Sequence, residues 1–330
     1  MAGKLIHLLC GSKTLGKCGN LQRAPSDIIR TGLDFIHMDK LDNALTIIDG
    51  GMGHELQARS GQTGGLWSAQ ALLDAPELVE QVHREYIAAG AQIIITNTYS
   101  TIPSYLAKSN LADCGLQLAE LAGKIARRAA DDAPHPVQVA GSLPPLDESY
   151  RWDLVPATED AEPIYSELAQ VLLPYVDLYI CETMSCVQES VNAVAAARKV
   201  AGNKPVWVAW SLAETPGGGL RSGESIAAAV AALDEFSVDA YLFNCCTPAA
   251  ITQALPQLRK LTHKPIGAYP NLLHIPTGWT LDNDVPTGRA ELSTNEFVEY
   301  AKQWQSMGAT MIGGCCGIGP RHIAALAQAC

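Results

Sequence analysis

Two cysteine doublets, Cys245 with Cys246 and Cys315 with Cys316, are the side chains in this sequence best suited to chemistry. Glycines flank the second doublet in the run Gly-Gly-Cys-Cys-Gly at 313–317, and glycine lets a backbone approach an ion closely. Soft thiolates favour zinc over magnesium or calcium. Three protein ligands with one open position are typical of catalytic zinc. Buried packing is the alternative interpretation, and we favour it for Cys246 taken alone.

Polar side chains stand where the apolar runs of the chain end. They are Asp49, Asn97, Tyr99, Ser142, Glu182, Ser211, Asn244, Cys245, Asn271, Cys315 and Cys316. An unpaired carboxylate is costly to bury, so a functional role is favoured for Glu182 at the end of an apolar run. Asp49 allows two interpretations, a binding role or a cap for the Gly-Gly turn that follows it.

The apolar runs alternate with helical segments and predict eight strand-then-helix units. The runs cover 44–49, 92–97, 137–142, 176–182, 205–211, 238–244, 265–271 and 310–315. Helices are predicted at 74–90, 111–131, 187–202, 224–236, 248–262, 295–308 and 320–329. Nearly continuous hydrophobicity is typical of parallel strands buried on both faces. We therefore predict an α/β fold, a single-domain (β/α)8 TIM barrel over 41–330, with its chemistry at the carboxyl ends of the strands.

Composition excludes several classes of protein. Of the 330 residues, 48% are hydrophobic and 17% charged, which is typical of a globular chain. The net charge of −11 argues against nucleic acid or an anionic membrane as partner. Residues 1–40 lack clear periodicity, so we interpret them as a loosely ordered N-terminal extension with Met38 as an alternative start. Their short apolar run is a poor signal peptide, and we predict a cytoplasmic protein.

The motifs at the predicted strand ends resemble those of the homocysteine S-methyltransferase family. They are Asp-Gly-Gly-Met-Gly at 49–53, Leu-Trp-Ser-Ala at 66–69, Cys-Glu-Thr at 181–183, Asn-Cys at 244–245, Tyr-Pro-Asn at 269–271 and Gly-Gly-Cys-Cys-Gly at 313–317. The resemblance extends from about 45 to 327, which is essentially the whole predicted barrel. The 1–40 extension has no counterpart in it.

The resemblance implies a Zn²⁺ ion on Cys245, Cys315 and Cys316, with the homocysteine sulfur as fourth ligand. It also places Asp49 and Glu182 near the amino group of homocysteine. Zinc ionises a bound thiol, so we expect no catalytic side chain beyond the activated substrate thiolate. The remaining substrate-binding candidates are Gly50, Trp67, Tyr99, Asn244 and Asn271.

The methyl donor is the least defined part of the prediction. Aromatic faces attract sulfonium and ammonium groups, and Trp67 and Tyr99 are the candidates, with packing over the barrel mouth as the other interpretation. The motifs look most like the S-methylmethionine branch, so we expect a sulfonium donor, S-methylmethionine or S-adenosylmethionine. Betaine and a different thiol acceptor stay open as alternatives. The expected partners are small molecules, and both a monomer and a homo-oligomer are compatible with the sequence.

Two other classes of function compete with this interpretation. A phosphate-binding barrel isomerase or aldolase would use the Gly-Ile-Gly run at 317–319 before the last helix as an anion site. A non-catalytic metal-binding barrel would hold zinc without turning over a donor. The cysteine set argues against the first alternative, and the carboxylates Asp49 and Glu182 argue against the second.

Overall fold

Eight short parallel strands form the centre of the molecule in a computed structural model that describes residues 45–60, 66–273, 275 and 292–330. The strands are β1 Thr46–Ile47, β2 Ile93–Ile95, β3 Gln138–Leu143, β4 Leu178–Met184, β5 Val206–Trp210, β6 Ala240–Asn244, β7 Ile266–Tyr269 and β8 Ala309–Ile312. Each corresponds to one predicted apolar run. The predicted N-terminal extension at 1–40 lies outside the described residues.

The sheet closes on itself. Its strands follow the order β1-β8-β7-β6-β5-β4-β3-β2. A parallel bridge between Ile48 and Ile93 then joins the first strand to the second. The backbone bond from the Asp49 amide to the Ile93 carbonyl, 2.9 Å long, continues this pairing. The predicted (β/α)8 TIM barrel is confirmed, with the carboxyl ends of all strands at one rim.

Side chains of the barrel divide into two layers because successive strand residues point to opposite faces. The layer inside the barrel, here called the lumen cluster, consists of Ile48, Ile93, Ala140, Leu178, Ile180, Trp207, Ala209, Ala240, Leu242, Tyr269 and Met311. A much larger cluster lies outside, between the strands and the helices. Two positions beyond a lumen residue the side chain again faces inward, so Ser142, Glu182 and Asn244 end the lumen at the rim.

Helices cover the outside of the barrel. They are α1 Met52–Ser60, α2 Ala69–Asp74, α3 Pro76–Ala88, α4 Pro103–Ala107, α5 Gly115–Asp131, α6 Thr158–Leu172, α7 Val187–Ala201, α8 Ile226–Ala232, α9 Pro248–Leu261, α10 Thr294–Ser306 and α11 Pro320–Ala329. The predicted helices are present, although the one predicted from 111 begins as a 3-10 turn at Ala112–Cys114. The short helices α1, α2 and α4 and the longer α6 were not predicted, and in α6 the internal Pro163 obscures the helical pattern. Within the described ranges, no helix is both long and apolar enough to span a membrane.

Candidate functional site

Cys245 follows the last residue of β6 in a strained backbone conformation. Its φ is +48°, a left-handed value that non-glycine residues rarely adopt. Two side chains hold its carbonyl oxygen: Ser211 Oγ donates at 3.2 Å and Asn271 Nδ2 at 3.1 Å. The Cys245 amide donates to the Tyr269 carbonyl at 3.2 Å. The ends of the fifth and seventh strands thus fix the first cysteine of the cluster.

Cys315 and Cys316 lie on the loop after β8, which packs closely against the loop after β1. The Gly314 amide donates to the Asp49 carbonyl at 2.8 Å. A Cβ atom at Gly51 would lie 2.6 Å from the Cys315 carbonyl oxygen, so only glycine fits this approach. One at Gly50 would lie 2.2 Å from the Ile318 carbonyl oxygen. The Gly-Gly pair therefore serves to bring the first and last loops together.

The three predicted metal ligands converge. The Sγ atoms of Cys245, Cys315 and Cys316 all lie within 4.8 Å of one another. Cys245 and Cys315 are joined as a disulfide, and Cys316 is a thiol 4.0 Å from Cys315 Sγ. This bond differs from the expected set of three thiolates, and it must be reduced before both sulfurs can bind a metal. Burial raises the pKa of Cys316 to about 11, so ionising it requires a cation. Three soft sulfurs at this spacing suit a metal ion of the zinc type.

Glu182 projects into the lumen near the end of β4 and is 7% exposed. Ser142 Oγ donates to its Oε1 at 2.5 Å, and the Tyr269 hydroxyl donates to its Oε2 at 3.3 Å. Burial raises its pKa to about 7, and the two hydrogen bonds oppose that shift. A carboxylate accepts about four hydrogen bonds, so each oxygen keeps capacity for a cation.

Asp49 is almost fully buried opposite this carboxylate. Its Oδ2 accepts a hydrogen bond from the Ile95 amide at 2.9 Å. Its Oδ1 is buried without a partner among the described residues. Burial raises the pKa of this carboxyl well above its usual value, and repulsion from Glu182 adds to the shift. The side chain bonds to β2, so the capping interpretation of Asp49 has no support.

One cavity connects these groups. It encloses about 800 Å³ including its open mouth, and Asp49, Glu182, Cys245, Cys315 and Cys316 all line it. The lining also includes Gly50, Trp67, Tyr99, Tyr150 and Tyr269. Among the described lining residues there are two carboxylates and no lysine, arginine or histidine. The cavity is therefore suited to a cationic ligand.

Two aromatic candidates from the sequence form part of the cavity wall. Trp67 has a φ of +48°, and its indole lies so close to Gly53 that a Cβ there would come within 2.3 Å of Nε1. The Tyr99 hydroxyl lies 2.7 Å from Ser149 Oγ. Both residues are partly buried and line the cavity.

The two asparagines predicted to bind substrate have protein partners instead. Both polar atoms of the Asn244 side chain bond to Thr183, and Asn271 Nδ2 bonds to the Cys245 carbonyl. Neither residue lines the cavity. Asn244 therefore binds Thr183 and Asn271 holds the Cys245 backbone, while Asn271 Oδ1 is buried without a partner among the described residues.

Several residues around the cavity, Ser149, Tyr150 and Tyr269 among them, were not candidates from the sequence. Tyr269 supports Glu182 together with Ser142, which the sequence had already placed at a strand end, while Ser149 and Tyr150 form a wall on the loop after β3. Tyr269 stands on the lumen face of its strand, a signal that strand alternation carries. Tyr150 has a φ of +68° in an irregular loop, for which the sequence holds no comparable signal.

The anion site of the alternative isomerase interpretation has no support in this geometry. The Gly319 amide at the start of α11 donates to His322 Nδ1 at 3.2 Å. The Ile318 carbonyl before it accepts from the Gly51 amide and the Tyr86 hydroxyl. This end of the helix is thus bonded to the protein itself.

The fold and the site define the class of protein: a parallel barrel whose rim carries three converging cysteines, which could hold a metal ion, and two buried carboxylates. The family model for homocysteine S-methyltransferase matches residues 46–330. A homocysteine S-methyltransferase of Escherichia coli is 32% identical over 88% of this chain and 96% of its own. The chain belongs to the homocysteine S-methyltransferase family and is a methyltransferase.

Two further relatives bear on the site. A selenocysteine methyltransferase of Astragalus bisulcatus is 30% identical over 88% of this chain and 93% of its own. The Escherichia coli homocysteine methyltransferase MmuM in metallated form superposes with a TM-score of 0.73, at 30% identity over 87% of this chain and 96% of its own. MmuM has also been solved in an oxidized form.

Proposed function

We propose that this protein transfers a methyl group from a sulfonium donor to the thiol of L-homocysteine, with Zn²⁺ held by Cys245, Cys315 and Cys316. The observation that carries the proposal is the convergence of three cysteine sulfurs with Asp49 and Glu182 on one cavity. When bound, zinc would lower the pKa of the homocysteine thiol and keep it as the thiolate.

The two carboxylates bind the amino group of homocysteine in this proposal. The ammonium donates to the free Oδ1 of Asp49 and to the remaining acceptor sites of Glu182. Such charge-assisted bonds contribute about 1.5–3 kcal/mol each. The two bonds hold homocysteine by its amino group, which lies at the opposite end of the molecule from its sulfur. The thiolate then faces the donor side of the cavity.

Methyl transfer is then an in-line displacement. The thiolate sulfur forms a bond to the methyl carbon while the bond from that carbon to the donor sulfonium breaks. The electron pair of the broken bond stays on the donor sulfur, so a thiolate and a sulfonium become two neutral thioethers. No proton moves in this step, and the protein needs only to hold both reactants in contact and exclude water.

The donor end of the cavity favours a cation that lacks hydrogen-bond donors. Trp67 and Tyr99 present aromatic faces, which attract a desolvated cation by about 2 kcal/mol or more. The acidic lining adds a favourable field. S-methylmethionine is the donor we favour, because its sulfonium is compact and its charge is concentrated on sulfur.

Methionine formation from L-homocysteine tests the proposal directly. The reduced, zinc-loaded protein would receive S-methylmethionine, S-adenosylmethionine or betaine in parallel, with and without a zinc chelator, and the product would be quantified by mass spectrometry. We expect turnover with a sulfonium and its loss on chelation. Turnover with betaine alone would overturn the donor assignment. Turnover of L-selenocysteine in preference to homocysteine would overturn the acceptor assignment.

Replacing Trp67 is expected to weaken donor binding selectively. Trp67→Leu removes a cation–π contact of about 1–2 kcal/mol, which raises the KM for S-methylmethionine by about 5–30-fold. The KM for homocysteine should stay within about twofold, since in this proposal its ammonium pairs with Asp49 and Glu182 and not with the indole. Trp152→Leu is the matched control, because Trp152 is 51% exposed and does not line the cavity. Equal effects on both substrates would contradict the assignment.

The reaction is expected to fail on the acid side of neutrality. The pKa of Glu182 is about 7 in the free protein, so below that pH its carboxyl is protonated and cannot pair with the homocysteine ammonium. Because kcat/KM reports the free enzyme, its value for homocysteine should fall about tenfold per pH unit below 7. Steady-state rates from pH 5 to 8 would measure this. A flat profile between pH 5 and 7 would show that the Glu182 carboxylate is not required for homocysteine binding.

A further inference from the structure

Thr183 stands in a strained conformation directly after Glu182. Its φ is +62°, which is a genuine outlier for a β-branched residue. The pairing with the next strand also changes here, because Cys181 lies opposite Val208 but Met184 lies opposite Trp210. β4 therefore holds one residue more than β5 over this stretch, which is a β-bulge.

The bulge decides which side chains face the lumen. Ile180 belongs to the lumen cluster and Met184 to the outer core. Four residues apart on a regular strand, these two would face the same side. Regular alternation from Ile180 directs Glu182 into the lumen, and the extra residue that follows turns Met184 to the outside. Without the left-handed Thr183, the regular alternation would not carry both side chains to these positions.

The Asn244 side chain, on the second strand along from β4, holds this bulge in place. The Thr183 amide donates to Asn244 Oδ1 at 2.9 Å, and Asn244 Nδ2 donates to Thr183 Oγ1 at 2.8 Å. Both residues are fully buried. The two bonds together fix the amide and the side chain of Thr183, which is the geometry needed to stabilise an unfavourable backbone angle.

Asn244 also precedes Cys245, a second residue at the rim with a left-handed backbone. One carboxamide therefore links the turn that carries the Glu182 carboxylate to the turn that carries a cysteine of the cluster. Strand β5 lies between the two in the barrel, so no backbone pairing joins them directly.

We propose that Asn244 is a positioning residue for the methyl transfer, which aims the Glu182 carboxylate by holding Thr183 in its left-handed conformation. The role of Glu182 as the partner of the homocysteine ammonium rests on the proposed function. Asn244 itself touches no substrate. Its removal leaves the buried Thr183 amide unpaired, so the turn relaxes and the carboxylate moves off its Ser142 and Tyr269 partners.

A rescue experiment separates this role from general stability. Asn244→Ala should raise the KM for homocysteine by about tenfold or more and change kcat less, with one zinc per chain retained. Glycine adopts left-handed angles without strain, so Thr183→Gly in the Asn244→Ala background should return the KM to within about threefold of wild type. The melting temperature of the double variant should likewise exceed that of Asn244→Ala.

Asn192→Ala is the matched control. Asn192 is another buried asparagine with protein partners, Thr158, Gln188 and the Pro156 carbonyl, on α7 outside the cavity lining. It should lower the melting temperature without changing the KM. The proposal is overturned if the double variant binds homocysteine as poorly as Asn244→Ala, or if its melting temperature recovers while the KM does not. A wild-type protein without turnover would instead refute the proposed function, and the melting temperatures would still test the bulge.

Discussion

Cys315→Ser is expected to remove the bound metal and lower methyl transfer by at least about 10³-fold. Serine presents a hard, protonated hydroxyl where the metal requires a soft thiolate, and two cysteines do not make a stable zinc site. Without zinc the homocysteine thiol, with a pKa near 8.5, is mostly protonated at pH 7 and is no longer held in place. Metal content per chain and the methionine-forming rate, both on reduced protein, measure the effect.

Cys246→Ala supplies the control for this variant. Cys246 is adjacent in sequence to Cys245 and fully buried, but its side chain packs in the outer core and not in the cavity. Its loss should reduce stability slightly and leave one zinc per chain. The metal assignment fails if Cys315→Ser keeps its zinc and its activity, or if Cys246→Ala loses zinc to the same extent.

Glu182→Gln is expected to raise the KM for homocysteine by about 10–100-fold and to change kcat much less. The amide keeps the shape of the side chain and can still accept from Ser142, but it loses the charge that pairs with the ammonium. An interaction made equally in the ground and transition states changes KM and leaves kcat in place. The acid limb of the pH profile should also move to lower pH, because the carboxyl that titrates near 7 is gone and Asp49 is the remaining one.

Glu189→Gln tests whether charge removal elsewhere has the same effect. Burial raises the pKa of Glu189 to about 7 as well, but its carboxylate accepts from the Ser185 amide and hydroxyl and does not line the cavity. Its variant should keep the homocysteine KM within about twofold of wild type. Similar KM values for Glu182→Gln and wild type would remove Glu182 from the binding site.

The fold was accessible from the sequence because its signal is repeated. Eight apolar runs of strand length, separated by helical segments, leave few topologies besides a closed parallel barrel. The same regularity predicted that Glu182, Cys245 and Cys315 would meet, since parallel strands bring their carboxyl ends to one rim. Helix α6 was not predicted because Pro163 in its interior argues against a helix. Tertiary packing against the barrel overrides the cost of that proline.

The finer arrangement of the site lies in backbone angles that side-chain patterns do not encode. Thr183 has a left-handed backbone although it is β-branched, and a β-branched residue in this position would ordinarily be expected to continue a regular strand. Asn244 was expected to bind substrate because it ends a strand beside a cysteine, and only its two bonds to Thr183 reveal a supporting role. The bond between Cys245 and Cys315 joins residues 70 positions apart, a pairing that spacing alone does not define.

The central claim is that homocysteine binds through its sulfur to a metal that three cysteines of this chain hold. X-ray absorption at the zinc edge of the reduced, zinc-loaded protein counts the sulfur atoms around the metal at about 2.3 Å. We predict three sulfur neighbours in the protein alone and four after addition of L-homocysteine. Fewer than three in the resting protein, or a count that homocysteine leaves unchanged, would contradict the account.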